Sequence, residues 1–167
     1  MYVVRRTIEI DAGHRVPFHD SRCRHLHGHR YKIIASVSAL SLVSPSTNAP
    51  DSGMIIDFGA IKRVMMEHIH AKFDHCFMLW ELDPLVMARH PEDRLVSYLD
   101  RRVALLGNSI VPVPCIPTAE ELAKYWAGLI AGPLHTALNT TIKGARLTSV
   151  EVWETPNCTA TYLIPAE

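Results

Sequence analysis

The chain has 167 residues, 48% of them apolar and 20% charged, and seventeen Lys and Arg balance seventeen Asp and Glu. That length suits one domain with a sizeable core, and the composition excludes a disordered chain. Zero formal charge excludes a basic field for nucleic acid or an anionic membrane, and no apolar run reaches the ~18 residues of a membrane-spanning helix.

The N-terminal Met1-Tyr2-Val3-Val4-Arg5-Arg6 lacks the unbroken apolar region of a signal peptide, so the expectation is a soluble cytoplasmic protein. Thr7-Ile8-Glu9-Ile10-Asp11-Ala12-Gly13-His14 alternates with period two and predicts a half-buried strand, with Ile8, Ile10, Ala12 and His14 on one face. Residues 15–24 read as a polar loop. A second strand is expected from about His27 to about Leu42, with His27, His29, Tyr31, Ile33, Ala35 and Val37 sharing a face. Residues 44–53 carry turn chemistry, and Met54-Ile55-Ile56 reads as a short strand.

From Phe58 to about Lys72 the stripe Phe58, Ile61, Met65, Ile69 and Phe73 predicts a helix capped by Asp57. Residues 82–101 read as partly helical, Val103-Ala104-Leu105-Leu106 as a short strand or helix end, and residues 107–117 as extended or loop. Thr118-Ala119-Glu120-Glu121 has capping-box spacing and starts a second helix. Its stripe is Leu122, Tyr125, Trp126 and Leu129, and its expected end is Gly132-Pro133. Strands over 145–154 and 159–164 flank a turn at Thr155-Pro156-Asn157. The reading is α+β: two principal helices against an antiparallel sheet.

The four cysteines, Cys23, Cys76, Cys115 and Cys158, form no CxxC pair, so no thiolate zinc ribbon is expected. Five of the ten histidines lie between positions 14 and 29. His27 and His29 leave one strand face about 6.6 Å apart at the backbone, and a hairpin brings His14 opposite them. Three neutral imidazoles with an open fourth position are a catalytic zinc pattern, although iron and nickel also accept imidazole. Gly28 lets another group approach closely between two ligands. His19 and His25 compete as ligands. Cys23, between Arg22 and Arg24, reads as a fourth ligand, as a reactive thiolate with a depressed pKa, or as a plain thiol. Asp74-His75 has the chemistry of an oriented proton relay but needs an irregular backbone for a direct bond. Glu154 is either a solvated strand end or an acceptor for a guanidine-like ring edge.

Together these segments resemble the 6-pyruvoyltetrahydropterin synthase / 6-carboxytetrahydropterin synthase family. Ala12-Gly13-His14-Arg15 is similar to the strand end that holds the first zinc histidine. Cys23-Arg24-His25-Leu26-His27-Gly28-His29 is similar to the C-x3-H-G-H element, and Met54-Ile55-Ile56-Asp57-Phe58 to the segment before the first helix. Phe73-Asp74-His75, Pro117-Thr118-Ala119-Glu120 and Trp153-Glu154-Thr155 follow in the family's order.

The resemblance implies a tunnelling fold: a four-stranded antiparallel sheet with two helices on one side, trimers closing a barrel, and two trimers stacking as a hexamer with active sites between subunits. It implies Zn2+ on His14, His27 and His29, and Cys23, Asp74 and His75 as catalytic groups. It also implies a reduced pterin triphosphate as substrate, with Glu154, Thr118 and Glu120 on the substrate side. The spacing from Cys23 to His27, with a basic residue beside the thiol, resembles the queuosine-type enzymes, which release acetaldehyde and triphosphate to give 6-carboxy-5,6,7,8-tetrahydropterin. The alternatives are the 6-pyruvoyl product, a pterin- or purine-binding homologue without chemistry, and a structural zinc site in a protein-binding domain. Cys23 argues against a folate-type homologue. A long connection over about 81–116 departs from compact members, and a core thiol is expected at Cys76. Neither nucleic acid nor membrane is an expected partner.

Overall fold

The computed structural model describes residues 1–87, 109–138, 142 and 144–166. The readings over 88–101 and 103–106 lie outside the described residues. Strand β1 (Tyr2–His14) pairs antiparallel with β2 (His27–Ala39) from Tyr2↔Ala39 to His14↔His27, so the two strands run their full length together. The buried residues of β1 are Ile8, Ile10, Ala12 and His14, and those of β2 include Tyr31, Ile33, Ala35 and Val37, which is the expected parity. β2 pairs with β5 (Arg146–Thr155), and β5 pairs with β6 (Cys158–Leu163), both antiparallel.

Those four strands are the expected sheet, but it is larger. β3 (Phe77–Trp80) and β4 (Ile110–Val113) add to the free edge of β1 in parallel, giving the order β4-β3-β1-β2-β5-β6. β3 is a four-residue apolar run too short to show a period. β4 contains Pro112, which removes a ladder donor and fits the outer edge it occupies. Conversely, residues 54–56 form no strand. Ile55 and Ile56 are buried in a turn closed by Val43 N–H donating to Met54 O at 2.9 Å.

The core lies between the sheet and two helical segments. α1 (Phe58–Met65) begins at Asp57, whose Oδ1 accepts the Gly59 N–H at 3.1 Å. It passes through a π turn (Met66–His70) into a last turn, α2 (Ala71–Phe73). Ile61, Met65, Ile69 and Phe73 are buried as expected, whereas Phe58, in the first turn, is half exposed. A short helix, α3 (Pro84–Met87), follows β3. α4 (Ala119–Ala137) buries Leu122, Ala123, Trp126, Ile130 and Leu134. It runs past Gly132-Pro133, the expected end. Pro133 removes one helix donor, but the burial of Ile130 and Leu134 on either side carries the helix through.

Gly13 faces Gly28 across the β1–β2 ladder, and an added Cβ on Gly13 would overlap the Phe77 ring. This close approach lets β3 dock beside the histidine end of β1. Gly13→Ala is expected to destabilise the protein by about 1–3 kcal/mol through overpacking. A lowered denaturation midpoint would register it, and an unchanged one would show that the Phe77 ring can move aside.

Candidate metal centre

His14 is the last residue of β1 and His27 the first of β2, and His29 lies one pleat further on. Their ligand atoms lie within 4.8 Å of one another. The ring centroids are 4.5 Å apart for His14–His27, 5.1 Å for His14–His29 and 5.0 Å for His27–His29. Tetrahedral zinc at ~2.0–2.1 Å from each nitrogen asks for nitrogens ~3.4 Å apart, a small rotamer adjustment from this spacing. The competing histidines lie elsewhere. His19 turns its Nδ1 to the Ser21 N–H at 3.0 Å, and His25 contributes only its carbonyl. Cys23 lies outside the cluster, half-buried on a short 3-10 turn (Arg22–Arg24).

The hydrogen bonds set the tautomers. His14 Nδ1 donates to Pro117 O at 2.6 Å, and His27 Nδ1 donates to His25 O at 2.8 Å. A carbonyl only accepts, so each Nδ1 carries the proton and each Nε2 keeps a lone pair for a ligand. His14 Nε2 is buried without a hydrogen-bond partner. An orphaned acceptor beside two more imidazoles is the arrangement that a cation would satisfy. Burial first, then the neighbouring His27 and His29, pull the His14 pKa down to about 4, against the opposing pull of Pro117 O. Burial and His27 lower His29 in the same sense. His14 and His29 are therefore held toward the neutral form that ligates a metal.

This has a consequence for stability without metal. Folded His14 binds its proton only near pH 4, whereas an unfolded histidine binds near 6.5. The unfolded state takes up more protons between those values. The His14 contribution is therefore complete above about pH 6.5 and is lost as pH falls toward 4, by about 3 kcal/mol. Urea denaturation of the metal-free protein at pH 7 and pH 4 reads this loss against a His14→Gln variant. An equal fall in both proteins would show that His14 does not contribute it.

Two open clefts meet at His29, a member of the cluster. One, of about 590 Å³, is lined by Gly28, His29, His75 and Cys76. The other, of about 570 Å³, is lined by Gly28, His29, Trp153 and Glu154. His29 therefore stands between the Asp74–His75 pair and Glu154, in space sized for a small ligand. Asp74 ends α2, and His75 takes φ 60°, the irregular backbone that a direct bond between neighbours needs. The bond is there: His75 Nδ1 donates to Asp74 Oδ2 at 2.8 Å. Burial pushes the Asp74 carboxyl up. The Asp11 N–H on Oδ1 at 3.0 Å, with His75 and His70, outweighs burial and holds it below its usual value. Cys76, expected in the core, is instead half-buried on the cleft wall, where burial and Asp74 push its thiol pKa up.

Glu154 Oε1 lies 3.7 Å from His14 Nε2. Burial and then the charge of Glu120 raise its pKa, while His27 opposes them. Thr118 Oγ1 accepts the Glu121 N–H at 3.4 Å as the helix cap, which leaves its own proton to donate. Two contributors, Pro117 and Asp83, were not legible in the sequence, whereas Tyr31 lies on the histidine face that the strand parity predicts. Pro117 supplies the carbonyl that orients His14. Fully buried Tyr31 sets its ring edgewise against His14 and His29, with centroids 5.7 and 5.6 Å away. Asp83, also fully buried, accepts from Arg15 Nε at 2.8 Å and anchors the residue after His14. Pro117 and Arg15 sit inside the quoted motifs, but a backbone acceptor and a distant carboxylate leave no pattern of their own.

An α+β fold whose strand ends gather three imidazoles, with an Asp–His pair on one side and a half-buried glutamate on the other, defines a protein built around a metal-type pocket. The family model described as 6-pyruvoyl tetrahydropterin synthase matches residues 3–164, and the chain belongs to that family. It is 31% identical over 153 residues to a 6-carboxy-5,6,7,8-tetrahydropterin synthase of Rickettsia bellii, covering 92% of this chain and 94% of that one. The Rickettsia conorii protein of the same name is 32% identical over 154 residues, with the same coverage. Among solved structures, an uncharacterized protein from Wolinella succinogenes superposes with a TM-score of 0.74 at 24% identity, covering 97% of each chain. The Caenorhabditis elegans 6-pyruvoyl tetrahydropterin synthase superposes at 0.56 and 19% identity, covering 98% of this chain and 96% of that one. Both share the fold.

Proposed function

We propose that the chain is a zinc-dependent 6-carboxy-5,6,7,8-tetrahydropterin synthase. It would convert 7,8-dihydroneopterin triphosphate and water to 6-carboxytetrahydropterin, acetaldehyde and triphosphate. The observation that carries this reading is the trio His14, His27 and His29, set between Asp74–His75 and Glu154. Relatives 31 and 32% identical across nearly the whole chain bear that name.

The residues fit zinc: three convergent imidazoles, two of them, His14 and His29, held toward the neutral form by burial, two, His14 and His27, with Nδ1–H engaged on a carbonyl, and one buried Nε2 without a partner. When bound, zinc supplies Lewis acidity to the hydroxyls of the substrate side chain and eases loss of the neighbouring carbon-bound proton. Glu154 accepts the amino and ring N–H groups of the pterin edge, and Thr118 and Glu120 border that end. Cys23 takes the carbon-bound proton. Asp74 orients His75, whose Nδ1–H it holds, so that the other ring nitrogen can take up or deliver a proton.

A hexamer with sites between subunits suits the same reading. β6 is an outer strand of the sheet with Leu163 72% exposed, and an edge of that kind calls for a partner. Among the described residues no helix is long and apolar enough to cross a membrane, and the protein we propose acts in the cytoplasm.

Product analysis with 7,8-dihydroneopterin triphosphate tests the proposal. One acetaldehyde per triphosphate released supports it. Triphosphate release without acetaldehyde would assign the 6-pyruvoyl product instead, and tight binding without turnover would leave a pterin-binding protein.

A further inference from the structure

We propose that His70 is a positioning residue that grips Asp74 from the helix side and so fixes the His75 ring for proton transfer; this rests on the reading of Asp74 and His75 given above. His75 is a poor candidate for precise placement on its own. Its side chain is 78% exposed and its backbone is left-handed. Two backbone bonds tie the turn to β1: His75 N–H donates to Asp11 O at 2.7 Å and Gly13 N–H donates to Cys76 O at 2.9 Å. They set where His75 begins, while Asp74 sets where its ring points.

Asp74 is held by two hydrogen bonds and one longer ion-pair contact. Oδ1 takes the Asp11 N–H, while Oδ2 takes His75 Nδ1 at 2.8 Å and faces His70 Nε2 at 3.7 Å. His70 closes the π turn, and Asp74 N–H donates back to His70 O at 3.0 Å, so the two residues share a helix face. Without His70, Oδ2 has one partner, and that partner is the ring it must hold still. Arg30 does not substitute for it, because both its bonds, at 2.9 Å, go to the Asp11 carboxylate.

The test is a double-mutant cycle on the full-length zinc-loaded enzyme with a substrate-free companion measurement. His70→Ala should lower kcat about 2- to 5-fold with KM and zinc content unchanged. His70→Gln, whose amide can donate to the same oxygen, should recover most of that loss. On an Asp74→Ala background, His70→Ala should cost nothing further. Exchange of the His75 ring C2 proton, read by mass spectrometry without substrate, should move in His70→Ala toward its rate in Asp74→Ala. Wild-type exchange at His75 in His70→Ala, or an equal kcat loss on both backgrounds, overturns the proposal. Full activity in Asp74→Ala itself would instead remove the relay reading beneath it, and that result is visible in the single variant.

Discussion

His29→Ala is expected to empty the metal site and to reduce kcat/KM by about 10³-fold or more, the several kcal/mol that a Lewis acid contributes. His29 is the informative ligand to remove. His14 is buried and bonded to Pro117 O, so its truncation would leave a cavity and a lost hydrogen bond in the core. His29 is only half-buried and borders both clefts, so water can fill the space it leaves. Metal analysis after dialysis should fall from about one zinc per chain to near none, with the unfolding transition retained. One zinc per chain in a folded His29→Ala protein would show that the three imidazoles are not the ligand set, and the roles given to Cys23 and Asp74 would lose their chemical reason.

The site was more legible in the sequence than the edge of the sheet. Period two on two strands is a strong signal, and it places His27 and His29 on one face of β2 and His14 on the buried face of β1. The long hairpin connection then brought His14 opposite His27, as the register shows. Capping chemistry was equally readable. Asp57 and Thr118 use their side-chain oxygens at the predicted helix starts. What escaped depends on tertiary context. A four-residue strand such as β3 carries no measurable period, and β4 is a strand because β3 pairs with it, despite Pro112. α4 continues through Pro133 because buried neighbours outweigh one missing donor. His70 falls outside the apolar stripe, and its tie to Asp74 needs the π turn, which no sequence pattern announces.

Cys23→Ala should leave about one zinc per chain and lower kcat by about 10²–10⁴-fold, the usual effect of removing a positioned proton acceptor. The structure makes this a clean experiment. Cys23 is half-buried on an external turn, and its carbonyl, which alanine retains, accepts the Val16 N–H at 2.8 Å. The connection between the two histidine strands should therefore keep its shape. The thiol lies outside the imidazole cluster, so the metal should not leave with it. Loss of zinc together with activity would make Cys23 a ligand. Unchanged turnover would take proton abstraction away from Cys23 and pass it to His75, whose bond to Asp74 already fixes one ring nitrogen as donor and leaves the other to accept. The Cys23→Ala and Asp74→Ala kinetics together then separate the two proton carriers, because only the second variant should disturb the His75 ring.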